Sequence, residues 1–171
     1  MANVLRVGMF GGGVVGGGVY EILMKRGVPS ALTGGVSVQI TKICVKDINK
    51  PRSFDIDSAI TALTTDPEEI LNDESIDCIV EVMGGTTLAK TVVTEGLSRS
   101  KPKMVVTANK ALLAEYLDEL NELSAKAAAK KPRSPPLLAY EAAVCGGIPV
   151  IHLLTTGCYA GDVIHSIRFV V

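Results

Sequence analysis

The sequence lacks a large net charge and has no long run of basic residues. Its 171 residues carry a formal net charge of -1 at pH 7. Nucleic acids and anionic lipid surfaces are bound largely through clustered lysine and arginine, so this balance argues against both and favours small molecules or proteins. No apolar stretch approaches the length of a membrane span. We therefore expect no nucleic-acid partner and no membrane partner.

The sequence also lacks the marks of a secreted protein. Its first residues, MANVLRVG, do not contain the charged, apolar and small-residue segments of a secretory signal. The four cysteines, Cys44, Cys78, Cys145 and Cys158, form no CxxC pair and have no histidine at metal-ligand spacing, so we predict neither a zinc site nor a disulfide framework. A cytoplasmic protein in a reducing compartment is expected. A plastid protein without its transit segment is the alternative.

Short apolar runs alternate with segments of helical periodicity. The predicted strands are residues 5–10, 36–45, 76–83, 103–106, 137–140 and 164–171, and the predicted helices are residues 14–26, 88–99, 111–129 and 148–154. Residues 50–58 are polar and predict a surface connection, and residues 65–69 mark the start of a short helix. Because strands that helices connect pair in parallel, we predict an α/β fold with a doubly wound, mostly parallel sheet.

The first predicted strand leads into a glycine-rich stretch, VGMFGGGVVGGGVYEIL, at residues 7–23. The pattern G-x-G-x-x-G fits it in a single register, Gly11, Gly13 and Gly16. In this pattern the first glycine permits a tight turn, the second lets the backbone approach a pyrophosphate, and the third lets the helix pack closely. The flanking strand and helix supply the context that the motif needs. We therefore predict that Gly11, Gly13, Val14, Val15 and Gly16 bind a dinucleotide; a plain flexible loop is the alternative.

Two further glycines, Gly17 and Gly18, stand where the first turn of the helix is predicted. Each costs about 1 kcal/mol relative to alanine in a helix. Close helix packing or the approach of a ligand is the expected reason, and sequence drift without a role is the alternative.

The end of the second predicted strand bears on the choice of dinucleotide. An acid at this place usually binds the ribose hydroxyls of NAD, whereas a basic residue accommodates the additional phosphate of NADP. The chain has Lys46 first, with Arg52 within reach along the loop, which favours NADP(H) over NAD(H). Asp47 as a ribose acceptor is the competing interpretation, and Lys46 could equally be an ordinary surface lysine.

Four blocks of the sequence resemble the homoserine dehydrogenase family in order and spacing. They are VGMFGGGVVGGGV, VEVMGGTTLAKTVVTEGL, VVTANKALLAEY and YEAAVCGGIPVI. The first block is shared by Rossmann-type enzymes in general, whereas TANKALLA and EAAVCGGIP are much more specific. The resemblance implies a Rossmann-type domain of an oxidoreductase that interconverts L-aspartate 4-semialdehyde and L-homoserine with NAD(P)H, in the biosynthesis of threonine, methionine and isoleucine.

The resemblance also implies roles for individual residues. Lys110 would be catalytic and lie close to the nicotinamide and the substrate, where an ammonium group could neutralise a developing oxyanion; a solvent-facing lysine at a helix start is the alternative. Gly84 and Gly85 would approach the nicotinamide-ribose half of the cofactor. A monovalent, sodium-type cation would be held by four residues, Glu141, Val144, Gly146 and Ile148. The stretch AAVCGG could equally be a corner between a strand and a helix, with Cys145 as a packing residue.

The expected domain organisation follows from the same resemblance. Residues 1–150 would be the dinucleotide-binding domain, and residues 151–171 would begin a truncated region for substrate binding and dimerisation. Family members continue into that region, which supplies an acidic cluster and a lysine for proton transfer. We therefore expect a homodimer in the longer protein and little or no turnover by this chain alone. A dinucleotide-binding module that regulates or interacts without catalysis is the second hypothesis.

Overall fold

The computed structural model describes residues 4–27, 29, 33–130 and 137–168, and within them six parallel strands form one sheet. The strands are β1 (Val4–Phe10), β2 (Ser37–Cys44), β3 (Ala62–Thr64), β4 (Cys78–Glu81), β5 (Met104–Thr107) and β6 (Leu138–Ala139). The predicted α/β fold is confirmed, and β3 is the strand that the apolar runs missed. It has only three residues, too few to give a readable pattern.

Helices follow every strand of the sheet except β2, which an irregular segment joins to β3. They are α1 (Val14–Tyr20), α2 (Glu68–Leu71), α3 (Thr87–Ser98), α4 (Lys110–Ala129) and α5 (Val150–Thr156), with a π-helical segment at Glu21–Arg26 that continues α1 and a 3-10 turn at Glu141–Ala143. The side of α4 that faces the core is apolar, and Leu112 and Leu120 are fully buried there. Across the described part of the chain, no helix combines the length and apolar character needed to cross a membrane.

The order of the strands places a crevice in the middle of the sheet. The order is β3-β2-β1-β4-β5-β6, so the chain starts at the centre, runs outward to β3 and then returns to the other side of β1. At such a reversal the connections leave neighbouring strands in opposite directions. The carboxyl ends of β1 and β4 therefore flank the place where ligands of open α/β sheets bind.

Apolar side chains cover both faces of the sheet. Along β4, Ile79 belongs to the cluster that includes α3 and α4, while Cys78 belongs to the cluster that includes Tyr20 of α1. This split reflects the alternation of side chains along a strand. Phe54 also lies in the second cluster, although residues 50–58 were expected at the surface, because its ring packs on Tyr20 with centroids 5.4 Å apart.

The prediction of a strand at residues 164–171 is wrong for residues 164–168, the part that the structure describes. Residues 162–168 have no regular structure and are exposed, and residues 169–171 lie outside the described residues. The prediction used apolar character alone, but a strand also needs a neighbour to share its backbone hydrogen bonds. No described strand of the sheet lies beside these residues.

Candidate functional site

The glycine-rich turn between β1 and α1 lies at the centre of the carboxyl edge of the sheet. Gly11 has a φ of 111°, a conformation that L side chains rarely adopt. Its N–H donates to the carbonyl oxygen of Cys44 at the end of β2, at 3.0 Å. A Cβ on Gly11 would lie 2.7 Å from the carbonyl oxygen of Val82, just after β4. The turn is therefore held between both neighbours of β1, and only glycine fits its first position.

The other two glycines of the motif have different surroundings. A Cβ on Gly16 would lie 2.1 Å from the carbonyl oxygen of Gly11, so α1 approaches the turn too closely for any side chain. Gly13 precedes α1 with an extended backbone, and a Cβ there would meet no atom within 4 Å. Packing within the protein thus requires glycine at position 16 but not at position 13, where space is open for a ligand. Val14 and Val15 follow it and are exposed.

Gly17 and Gly18 are expected to respond in opposite ways to alanine. A Cβ on Gly17 would lie 2.6 Å from Cδ1 of Phe54, whereas a Cβ on Gly18 would meet no atom within 4 Å. Alanine favours a helix by about 1 kcal/mol over glycine, so Gly18→Ala should raise the melting temperature. Gly17→Ala should lower it, because Phe54 has to move. Thermal unfolding of both variants tests the pair, and shifts of the same sign would contradict it. Close packing explains Gly17; nothing in the structure explains Gly18.

Arg52 lies beside the glycine-rich turn and shapes the loop after β2. Its guanidinium group donates to the carbonyl oxygens of Asp47 and Lys50, each at 2.8 Å, and of Ile48 at 3.1 Å. Its Nε would lie 3.2 Å from a Cβ on Gly12. The structure therefore brings the positive charge of Arg52 to this end of the site, although most of its donors already bind the loop.

Lys46 is exposed at the same end, and no described residue forms an ion pair or a side-chain hydrogen bond with it. The neighbouring carboxylate of Asp47 accepts the N–H of Asn49 at 2.8 Å. The geometry thus leaves Lys46 free to meet an anionic group, while Asp47 takes part in a turn. Both remain accessible to a ligand.

A hydrogen-bonded ring joins the carboxyl ends of β4 and β5. Glu81 is fully buried and accepts the N–H of Met83 at 2.8 Å and the hydroxyl of Thr107 at 2.5 Å. Thr107 in turn accepts the N–H of Asn109 at 3.1 Å, and Asn109 Nδ2 donates to the carbonyl oxygen of Gly85 at 2.7 Å. Sequence reasoning missed this ring. An acid at the end of an otherwise apolar strand, in the block IVEVM, was the signal available.

Lys110 is the first residue of α4 and is exposed at the same edge of the sheet. The helix begins there because Asn109 Oδ1 accepts the N–H of Leu112 at 3.1 Å, which satisfies a free donor of the first turn. No described residue forms an ion pair or hydrogen bond with the ammonium group of Lys110. Its position is compatible with the predicted role near a substrate and with the solvent-facing alternative.

Glu141 caps helix α5. Its two carboxylate oxygens accept the N–H groups of Ile151 at 3.0 Å and His152 at 2.9 Å. A carboxylate is favourable at this end of a helix, where the N–H groups are unpaired and the dipole is positive. The predicted cation ligand thus already has two donors, one on each oxygen.

The backbone between Glu141 and α5 turns sharply. Cys145 and Gly146 have φ values of 55° and 61°, two successive left-handed residues. No described residue donates a backbone hydrogen bond to the carbonyl oxygens of Val144 or Gly146, whereas that of Ile148 accepts the N–H of Val150 at 2.8 Å. Two of the four predicted ligand residues therefore have carbonyl oxygens that no described backbone donor occupies. No cluster of three metal-binding side chains occurs among the described residues, so backbone oxygens would have to dominate such a site.

The sequence that forms these features matches a known family over most of the chain. The family profile described as "Homoserine dehydrogenase, NAD binding domain" matches residues 11–133, from the glycine-rich turn to beyond α4. The chain belongs to the homoserine dehydrogenase family. It contains the NAD-binding, Rossmann-type part of these oxidoreductases, as the four sequence blocks indicated.

Relatives of the homoserine dehydrogenase family agree in sequence and structure. Homoserine dehydrogenase of Bacillus subtilis is 38% identical over 155 residues, which are 91% of this chain and 33% of the relative. The crystal structure of the enzyme from Thiobacillus denitrificans superposes with a TM-score of 0.73 at 28% identity, over 92% of this chain and 34% of that one. A hyperthermophilic archaeal homoserine dehydrogenase in complex with NADPH shares the fold, with a TM-score of 0.61, 23% identity, and coverage of 88% of this chain and 48% of that one. The chain spans about a third of the length of the first two.

Two groups of residues lie outside the site of this homoserine dehydrogenase domain. Burial raises the pKa of the Cys44 thiol to about 11 and that of Cys78 to about 12, so both stay protonated and act as small apolar residues. A cavity of about 360 Å³ lies at the amino end of β4 and β5, away from the glycine-rich turn. Its basic residues are already bound: Lys103 donates to two backbone carbonyls, and Arg99 pairs with Glu68.

Proposed function

We propose that this chain is the cofactor-binding part of a homoserine dehydrogenase that interconverts L-aspartate 4-semialdehyde and L-homoserine by hydride transfer. The observation that carries the proposal is the turn from Gly11 to Gly16. The turn lies where the strand order of the sheet reverses. Packing within the protein requires glycine at position 16, whereas the space beside position 13 is open to a ligand. An uncapped helix N-terminus follows, as a pyrophosphate site needs.

The two halves of the cofactor would lie on different parts of the carboxyl edge of the sheet. The adenosine half would lie over β1 and β2, near Lys46, and the nicotinamide half over β4 and β5, where Gly84 and Gly85 approach it. The cofactor supplies or accepts the hydride. Lys110 would present its ammonium group to the substrate oxygen and stabilise the negative charge that develops there.

Two further parts of the proposal concern ions and partners. The carbonyl oxygens of Val144 and Gly146, which no described backbone donor occupies, support a monovalent, sodium-type cation held together with Glu141 and Ile148, since hard cations prefer oxygen ligands. The substrate is a small molecule, and the longer family members would act as cytoplasmic homodimers in the synthesis of threonine, methionine and isoleucine.

We propose further that the cofactor is NADP(H). The exposed Lys46 and the neighbouring Arg52 put positive charge where the additional phosphate of NADP would lie. NAD(H), with Asp47 as the ribose acceptor, is the competing possibility.

A fluorescence titration of this chain with NADPH and NADH tests the proposed function. NADPH is expected to bind more tightly, and Lys46→Ala should weaken it about tenfold while changing NADH affinity less than about twofold, because only NADPH loses a charged contact. Lys50→Ala, in the same exposed loop, is the matched control and should leave both affinities unchanged. Absence of NADPH and NADH binding at millimolar concentration would refute the cofactor role. Equal losses for NADPH and NADH in Lys46→Ala would refute the preference.

A further inference from the structure

Packing alone does not explain why a carboxylate, that of Glu81, is buried at the end of β4. The register of β4 and β5 pairs it with Thr107, and its side chain is 0% exposed. No lysine or arginine among the described residues forms an ion pair with it. Burying a carboxylate without an opposite charge is costly, whereas an apolar side chain here would extend the core of β4. The two hydrogen bonds that Glu81 accepts are the compensation that the structure offers.

Those two hydrogen bonds lead to the two loops that the proposed function uses. Met83, which donates to one oxygen, lies in the loop after β4 that contains Gly84 and Gly85. Thr107, which donates to the other, ends β5 and accepts the N–H of Asn109, the residue before Lys110. The Asn109 amide closes the ring by donating to the carbonyl oxygen of Gly85.

The conformation of Gly85 shows that this loop needs a support. Gly85 has a φ of 81°, in the left-handed region, and a Cβ there would meet no atom within 4 Å. The residue is therefore not confined by packing against other side chains. Within the described structure, the Val82 N–H anchors the start of the loop on the carbonyl oxygen of Phe10 at 2.9 Å, and the hydrogen bonds through Glu81 and Asn109 hold the part that contains Gly84 and Gly85.

We propose that Glu81 is a positioning residue for the nicotinamide half of the cofactor. It accepts the Met83 N–H and the Thr107 hydroxyl together, and so fixes the loop of Gly84 and Gly85 against the start of α4. This sets the distance between the nicotinamide site and Lys110. The inference rests on the proposed function, because it requires a nicotinamide dinucleotide at this edge. It assigns no contact between Glu81 and the cofactor.

Three substitutions separate this role from a purely structural one. Glu81→Gln keeps the shape of the side chain but can accept from only one of the two donors. With its oxygen on the Met83 N–H, its amide N–H faces the Thr107 oxygen, which already accepts the N–H of Asn109, and the Thr107 hydroxyl proton loses its acceptor. Thr107→Val removes one donor and retains the volume, whereas Thr107→Ser keeps the hydroxyl. Thr64→Val is the matched control: Thr64 is buried at the end of β3 and accepts the N–H of Asp66 at 3.0 Å, as Thr107 accepts that of Asn109, but no carboxylate of the described residues accepts its hydroxyl.

The measurement compares NADPH with 2′-phospho-ADP, the half of the cofactor that lacks the nicotinamide ribose. Glu81→Gln and Thr107→Val are expected to weaken NADPH about tenfold and to leave 2′-phospho-ADP within about twofold of the unmodified chain, since a lost buried hydrogen bond has this order of effect. Thr107→Ser and Thr64→Val should bind both ligands as the unmodified chain does. If Glu81→Gln does not fold, the positioning role is tested by comparing the NADPH and 2′-phospho-ADP affinities of Thr107→Val with those of Thr64→Val.

The possible contrary results are distinguishable. Unchanged NADPH affinity in Glu81→Gln and Thr107→Val would overturn the positioning role and leave the proposed function intact. Equal losses for NADPH and 2′-phospho-ADP would also overturn it, because the ring would then support the whole sheet edge. If the unmodified chain binds neither NADPH nor NADH, the proposed function fails and this inference fails with it. If it binds NADH alone, only the NADP(H) preference is refuted, and the same comparison is made with NADH and ADP.

Discussion

Gly16→Ala is expected to abolish dinucleotide binding and to destabilise the domain by about 3 kcal/mol. The added methyl group would lie 2.1 Å from the carbonyl oxygen of Gly11. Overpacking of a rigid site costs about 1–3 kcal/mol, and here the obstructing atom belongs to the backbone and cannot rotate away. The turn and α1 have to separate, which moves the backbone N–H groups that would meet the pyrophosphate. Chemical denaturation and an NADPH titration of the same variant measure both effects.

Gly13→Ala is the matched variant for this experiment. Its backbone is extended and its added methyl group would meet no protein atom within 4 Å, so the free energy of unfolding should stay within about 0.5 kcal/mol of the unmodified value. NADPH binding should nevertheless fall by at least about tenfold, because the methyl group would occupy the approach of the pyrophosphate. If Gly13→Ala binds NADPH normally, the turn is not a phosphate site. If Gly16→Ala is as stable as the unmodified chain, the conclusion that α1 approaches the turn too closely for a side chain at position 16 is wrong.

Lys110→Ala is expected to lower kcat/KM for homoserine oxidation about 100- to 1000-fold, the effect of removing one group that stabilises an oxyanion. The assay uses a polypeptide that also carries the remaining two thirds of the length of the relatives. The fold should be unaffected, because Lys110 is exposed and α4 is capped by Asn109. The melting temperature and the NADPH affinity of the variant check this.

Lys126→Ala is the control for Lys110→Ala. Lys126 is exposed on the same helix and pairs with Glu122 at 3.5 Å, four residues away, a contact worth less than about 1 kcal/mol. Its loss should leave turnover unchanged. Comparable activity of Lys110→Ala and Lys126→Ala would remove Lys110 from the mechanism. A complete polypeptide that binds NADPH but shows no turnover even with Lys110 present would favour the non-catalytic module.

Much of the sheet was predictable because its strands are buried on both faces and therefore stand out as apolar runs. The register of G-x-G-x-x-G in the turn was predictable for another reason: a phosphate site has local backbone requirements, and glycine spacing records them. The strand predicted at residues 164–171 shows the limit of the first kind of reasoning. An apolar run indicates a buried strand only where a neighbouring strand is present to share its backbone hydrogen bonds.

The ring of Glu81, Thr107 and Asn109 could not be predicted in the same way. Its members are up to 28 residues apart in the sequence, from Glu81 to Asn109, and meet because β4 and β5 are in a particular register. Nothing local in either block reports that register. Glu141 gives a related lesson, since its two bonds to the N–H groups of α5 depend on a turn with two successive left-handed residues. In both cases the chemistry of the side chain was visible in the sequence, but its partners were not.

The way in which Gly11 is held between β2 and β4 affects the thermodynamics of binding. Its N–H is bound to the carbonyl oxygen of Cys44, and the carbonyl oxygen of Val82 lies where a Cβ of this residue would stand, so the shape of the turn is imposed by the sheet before any dinucleotide arrives. A loop that is already ordered loses little conformational entropy when it takes up a ligand. Affinity at this end of the site would therefore be limited by desolvation of the phosphates, and association should need no slow rearrangement of the turn.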